Sequence, residues 1–165
     1  YNIKGFKAAV EVAYLIKDLF EDLKITSFVK TSGKTGLHIY VPIKTEYTYD
    51  QARAFAEIIG KILLSHFPQK VTMEWNTIKR TGKVFFDYNQ NSRGKTIASV
   101  YSVRPTNSAT VSMPIEWMQL NDIIPTDFTL LSVPDLIRGN NDPWRGVLEQ
   151  KQDLNKILAT VEEIA

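Results

Sequence analysis

Lys30-Thr31-Ser32-Gly33-Lys34-Thr35-Gly36-Leu37-His38 is a polar turn punctuated by two glycines, set between runs of strand character at 27–29 and 37–41. β-Branched and aromatic residues flank a loop of hairpin composition, so the stretch predicts a β-hairpin. Pro42 ends the second strand, because it brings no amide hydrogen to a ladder. On the N-terminal side, residues 4–23 carry Phe6, Ala9, Val10, Ala13, Ile16 and Phe20 on one stripe, widened by Val12, Leu15, Leu19 and Leu23. That spacing predicts an amphipathic helix packed on a sheet. On the C-terminal side, 49–67 spaces Ala52, Phe55, Ala56, Ile59, Ile62 and Leu63 for one buried face, with Asp50 as N-cap or first-turn acid and Pro68 as the stop.

The rest of the chain reads mainly as strands and loops. Residues 71–75 form a short apolar run, Thr81-Gly82 marks a turn, and 83–88 predicts a strand that carries Asp87 among apolar neighbours. A polar loop at 89–94 precedes strand-like residues 96–103, a loop at 104–108 and a further run at 109–112. Pro114 is placed to open a short helix over 115–120, and 128–131 is a short strand candidate. Asn140-Asn141-Asp142-Pro143 is turn material, and 147–164 predicts a closing helix that buries Leu148, Leu154, Ile157, Leu158 and Val161. Helix, hairpin, helix, strands and a closing helix make an α+β fold with a mainly antiparallel sheet, organised as a single domain over 1–165.

Composition bounds the classes of function. A chain of 165 residues, 44% apolar and 11% aromatic, can bury a core and is not a disordered segment. It has no cysteine, which removes disulfides and thiolate metal sites and fits a reducing compartment. No apolar run approaches the ~20 residues that a membrane-spanning helix needs. A net charge of +2 identifies no partner by itself. Its distribution is more telling: from 79 to 104, Lys79, Arg80, Lys83, Arg93, Lys95 and Arg104 face the single acid Asp87. That imbalance favours an anionic ligand.

Gly33-Lys34-Thr35 invites a P-loop reading, but the motif needs a glycine five positions before its Gly-Lys pair, where Phe28 stands, and a helix rather than a strand afterwards. The P-loop is therefore rejected. Backbone amides opened by Gly33 and Gly36, hydroxyls of Ser32 and Thr35, and the charge of Lys34 could still cradle phosphate; the plain alternative is a solvated turn. His38, one residue into the second strand, could donate to a phosphate or stand as an ordinary strand-entry residue. Strand alternation sends Phe85 and Asp87 to one face, and a carboxylate buried there requires a cation. The cation is either Arg80 or Arg104 in a salt bridge, or a divalent metal held by Asp87 with substrate phosphates. Simple exposure at an edge is the third choice. Arg80, Gln90, Arg93 and Arg104 are candidate phosphate or nucleic-acid contacts, since a guanidinium binds phosphate oxygens bidentately.

Lys30-Thr31-Ser32-Gly33 with Gly36-Leu37-His38, then 82–91, Tyr101-Ser102-Val103-Arg104 and Pro143-Trp144 together resemble the polymerase domain of bacterial end-joining DNA ligase D, of the archaeo-eukaryotic primase superfamily. The resemblance spans nearly the whole chain. It implies a primase-type fold with an RRM-like sheet and a template-dependent nucleotidyltransferase that extends DNA ends in non-homologous end joining. Implied partners are DNA ends with a template strand, ribo- or deoxyribonucleoside triphosphates, a ligase domain in the same or a partner chain, and a Ku-type end-binding protein, in the bacterial cytoplasm at the nucleoid and with no membrane. The resemblance makes Asp87 a catalytic ligand of Mn²⁺ or Mg²⁺ and gives Ser32, His38 and Arg104 to the triphosphate. Arg80 and Gln90 match further nucleotide-site positions, and Lys34 stands one place before the lysine of many relatives. The family's Asp-x-Asp pair occurs nowhere in this chain. The resemblance places it just before Tyr1, so the expectation is the larger, C-terminal part of such a domain, inactive by itself. Two other readings of the same residues are a noncatalytic nucleic-acid-binding module, and a single-strand binder using Tyr88 and Trp75.

Overall fold

The structure is a computed structural model that describes residues 2–139 and 142–164. Tyr1 and the first half of the expected turn at Asn140-Asn141 lie outside the described residues.

Helix α1 (Ile3–Asp22) starts where the Asn2 side chain accepts from the Gly5 amide at 3.0 Å. It ends where Lys24 takes a left-handed conformation, φ 56°, with the Ile25 amide bonded back to the Phe20 carbonyl at 2.7 Å. The width of its apolar stripe has a consequence: α1 serves two cores. Phe6, Val10 and Ala13 join Val29, Val111, Met113, Ile115, Leu120 and Phe128, while Val12, Ile16 and Phe20 join Phe55, Ile59, Leu63, Val71, Leu154 and Ile157.

The hairpin forms as expected. Strand β1 (Phe28–Thr31) pairs antiparallel with β2 (Leu37–Tyr40), in a register that sets Lys30 opposite His38. Helix α2 (Tyr49–His66) is opened by a capping box of Thr48 and Gln51, with Asp50 in the first turn. Strand β3 (Val71–Thr72) pairs parallel with β4 (Val84–Phe85), and β5 (Pro114–Ile115) pairs antiparallel with β1, giving the order β2-β1-β5. Short helix α3 (Val133–Ile137) and helix α4 (Leu154–Ile164) complete the chain.

Several expectations are corrected. The strand at 83–88 shrinks to Val84–Phe85, after which Asp87 leads into a 3₁₀ turn at Tyr88–Asn91. The region 96–103 forms no extended strand; its ladder contact is the isolated pair Val103 and Val111. Pro114 begins a strand, not a helix, which is possible because β5 is an edge where the missing amide is not needed. A 3₁₀ turn at Trp117–Gln119 replaces the expected helix, and 128–131 reduces to a bridge between Thr129 and Thr110. The closing helix starts at Leu154, and Leu148 is 89% exposed. What precedes α4 is instead a strap. The Gln152 side chain bonds both the amide and the carbonyl of Thr26, at 2.7 and 2.8 Å, and the Pro42 carbonyl at 3.0 Å. Asp153 accepts from Lys44 and Tyr47, each at 2.6 Å. Among the described residues no helix is long and apolar enough to cross a membrane.

Candidate active site

A cleft of about 620 Å³ opens between β2, the 84–98 segment and the two long helices. Its walls are apolar, with Ala9, Val12 and Ala13 from α1 and Phe55 and Ile59 from α2. Its polar lining includes His38, Asp87, Gln90 and Arg104.

The cationic end is built on β1. This central strand is covered on both faces, so the successive positions Val29, Lys30 and Thr31 are all buried, each 0% exposed. Lys30 is accommodated because its ammonium donates to the Ala98 carbonyl at 2.8 Å and to the Ser112 hydroxyl. Ser112 in turn donates to the Thr31 carbonyl at 2.8 Å, and the Thr31 hydroxyl donates to the Val111 carbonyl at 3.2 Å and accepts from the Met113 amide at 2.9 Å. These bonds stitch the hairpin to the 98–113 segment.

Arg104 stands on a tight loop within that segment. Its amide donates to the Thr110 carbonyl at 2.7 Å, and the loop is flanked by Tyr101 at φ 60° and Ala109 at φ 45°, left-handed conformations that cost energy for non-glycine residues. Thr110 donates to the Gly33 carbonyl, bringing the loop over the hairpin turn. Gly33 permits this approach: at φ +69° a Cβ there would lie 2.5 Å from Arg104 Cγ and 3.0 Å from the Ser112 amide nitrogen.

The result is a floor of two cations and an imidazole with no acid among them. Among the described residues neither Lys30 nor Arg104 makes an ion pair, and two buried nitrogens, His38 Nδ1 and Arg104 Nε, have no hydrogen-bond partner. Burial, then the charges of Lys30 and Arg104, push the His38 pKa down to about 4, so the imidazole is neutral at pH 7. Burial, then Arg104, lowers Lys30 to about 8.

The acidic end is arranged differently. Asp87 is exposed, follows β4 rather than lying inside it, and makes no ion pair among the described residues. The salt bridge to Arg80 or Arg104 is therefore absent, and the carboxylate faces water. Its position is fixed by packing. The Phe86 amide donates to the Thr72 carbonyl at 2.9 Å, and Gly60 of α2 leaves room for Phe86, whose Cδ1 would be 2.8 Å from a Cβ. Arg53 of α2 donates to the Asn89 side chain at 2.9 Å and lies 5.0 Å over the Tyr88 ring.

Ser32, Lys34 and Arg80 do not line the cleft. The Ser32 hydroxyl accepts from the Lys34 and Gly36 amides at 3.1 and 3.2 Å, so it closes the turn with the amides that were expected to be open for phosphate. Lys34 is exposed beside it. Arg80 turns back on its own loop, bonding the carbonyls of Glu74 and Trp75 at 2.8 and 2.6 Å and lying 3.5 Å over the Phe85 ring; it adjoins the cleft through Phe85. Gln90 lines the cleft and donates to the Thr96 carbonyl. Trp144 braces the back of the hairpin, donating to the Val29 carbonyl at 2.9 Å and packing 4.8 Å from the Tyr40 ring.

Lys30 is the site residue that sequence reasoning passed over. Its signal was present, a charge inside a strand, which is the reasoning applied to Asp87. The buried charge turns out to be the lysine, and the acid is solvated.

The divalent cation implied by the resemblance meets one cleft carboxylate, Asp87, and among the described residues no three His, Cys, Asp or Glu side chains gather as a cage. These residues do not fit a metal ion by themselves.

A sequence profile described as "LigD, primase-polymerase domain" matches residues 2–144. The chain is 33% identical over 150 residues to the bifunctional non-homologous end joining protein LigD of Bacillus subtilis, covering 90% of this chain and 24% of that protein. It is 29% identical over 156 residues to the multifunctional LigD of Pseudomonas aeruginosa, covering 93% of this chain and 19% of the relative. Among solved structures it resembles the polymerase domain of Mycobacterium tuberculosis ligase D in complex with DNA, with TM-score 0.80 and 30% identity over 88% of this chain and 51% of that one. The chain thus spans about a quarter or less of these two curated relatives and about half of the solved domain.

Proposed function

The chain belongs to the LigD primase-polymerase family, and from that premise we propose that its cleft binds the triphosphate of an incoming nucleotide in a DNA-end-extending polymerase of non-homologous end joining. The observation that carries the reading is the uncompensated cationic floor: buried Lys30, Arg104 and the unpartnered His38 and Arg104 nitrogens lack an acid, and a phosphate anion would satisfy them.

In the reaction the 3′-hydroxyl of the DNA end gives its proton to solvent while its oxygen bonds to the α-phosphorus, the bond from that phosphorus to the oxygen bridging to the β-phosphate breaks, and pyrophosphate leaves. Arg104 would offer its guanidinium to the triphosphate, and neutral His38 its one N–H donor. Ser32 would act by holding the turn closed, and Gln90 by fixing the 90–96 loop at the cleft wall. Lys34 and Arg80, both outside the cleft lining, would contact phosphate or DNA only after their side chains turn.

Such transfers draw charge neutralisation from a divalent ion, Mg²⁺ or Mn²⁺; Asp87 alone does not make a site for one and would hold it only with further ligands. Because the 165 residues contain no Asp-x-Asp pair, we expect no efficient turnover from this chain alone. In this reading the chain is one domain, the larger part of a primase-type polymerase domain, and its partners would be DNA ends, nucleoside triphosphates, a ligase domain and a Ku-type protein.

Nucleotide binding tests the reading directly. Titration with a fluorescent ATP analogue should give saturable binding, and Arg104→Ala should weaken it by about 10- to 100-fold, the worth of a charge-assisted hydrogen bond. Equal affinity in the variant would remove the triphosphate from this cleft.

A further inference from the structure

Lys30 has no function in the proposed reaction that its own atoms could perform, because it is fully buried and its ammonium is engaged by the Ala98 carbonyl and the Ser112 hydroxyl. As a purely structural residue it is also a poor choice. A buried ammonium without a carboxylate costs the fold desolvation energy that an apolar side chain of similar length would not. Its neighbours add to that cost: His38 is its cross-strand partner on the same face of the hairpin, and Arg104 is close enough to disfavour its charge.

We propose that Lys30 is a positioning residue for the triphosphate: a buried cation retained at the expense of the free fold, whose charge acts through His38 and Arg104 and is balanced only when a polyphosphate occupies the cleft. This rests on the triphosphate reading of the cleft. His38 and Arg104 touch the ligand, and Lys30 stands behind them. Its field adds to theirs with no loss of rotamer freedom on binding, because the ammonium is already fixed by two acceptors. The cleft walls from α1 and α2 are apolar, so the positive potential is little diluted. The groups facing Lys30 are His38 from β2 and Arg104, with the Ser112 hydroxyl and Ala98 carbonyl; Tyr40, Asp87 and Tyr88 line the cleft in front of them.

The test uses inorganic tripolyphosphate, with calorimetric titration and thermal unfolding of the same samples. Lys30→Met should unfold at the same or a higher temperature than the parent while binding tripolyphosphate at least about tenfold more weakly. Lys61→Met, which removes an exposed charge outside the cleft lining, should bind within about twofold of the parent. A Lys30→Met protein that is less stable yet binds with parental affinity would make the lysine structural and overturn the proposal. A second measurement needs no variant. Burial and Arg104 lower Lys30 to about 8, so an anion that restores its charge should bring about three-quarters of a proton onto the protein at pH 8.5, seen as a dependence of the binding heat on buffer ionisation enthalpy. Zero uptake by the protein, after the proton that tripolyphosphate itself loses on binding is added back, overturns the proposal even if Lys30→Met fails to fold. If the parent does not bind tripolyphosphate at all, the triphosphate reading itself fails, an outcome distinct from either of these.

Discussion

At one end of the cleft, Lys30, His38 and Arg104 stand on backbone stitched together by bonds among Thr31, Gly33, Thr110, Val111, Ser112 and Met113. At the other, Asp87 follows a two-residue strand in a two-stranded parallel pair and is steadied by Arg53 and by the contact of Phe86 with Gly60. The first end is buried at Lys30 and half-buried at His38 and Arg104, with no acid paired to its cations among the described residues; the second is solvated, with its acid exposed. In the proposed function, a polyanion would meet donors already held in place at the first end, while the carboxylate of the second stays in water, where its charge costs little.

The largest expected effect comes from joining the two halves of the rigid end wrongly. Gly33→Ala forces a side chain into a left-handed conformation and against Arg104 and the Ser112 amide. It should cost about 2–4 kcal/mol in urea unfolding and about 30-fold or more in ATP affinity. Retained affinity would mean that the cationic end is not held by this close approach.

An intermediate effect should follow pH. His38 has a folded pKa near 4 against about 6.5 when unfolded, so the unfolded chain binds its proton first as pH falls. The stability that rests on neutral His38 is complete above about pH 6.5 and is lost progressively as pH drops towards 4. His38→Gln should therefore lose less melting temperature than the parent between pH 7.5 and 5. Tripolyphosphate should flatten the parent's decline too, because an anion beside the imidazole favours its charged form. Parallel profiles in all three samples would remove the electrostatic coupling from the comparison.

The smallest effect belongs to the solvated end. Arg53→Ala removes the bond to Asn89 and the contact with Tyr88, and should cost about 1 kcal/mol. ATP affinity should stay within about twofold, while limited proteolysis at 88–91 becomes faster. A large fall in affinity would show that the two ends are coupled rather than separately built.

The hairpin and both long helices were legible in the sequence because their signals are local: glycine punctuation, heptad-like apolar spacing and a proline stop each act within a few residues. The same local rules misread 83–88, 96–103 and 114–120. There, apolar runs were short, and whether they extend was decided by partners elsewhere in the chain, as when Pro114 finds an edge position beside Lys30. Of the candidate site residues, His38, Asp87, Gln90 and Arg104 do meet in one cleft, whereas Ser32 and Arg80 bond their own loops and Lys34 stands exposed outside it. Side-chain direction in a turn or a basic loop is not encoded in residue type.

By itself, the sequence determined the family, the hairpin and the two helices that frame it, because motif order and periodicity survive without knowledge of contacts. Only the tertiary structure decided which charge is buried. Lys30 is 68 residues from the carbonyl and 82 from the hydroxyl that receive its ammonium, and those bonds exist only after β1 has been covered by the 98–113 segment. Burial and solvation are properties of the assembled surface. Neither the lysine's desolvation nor the exposure of Asp87 can be read from the residues on either side of them.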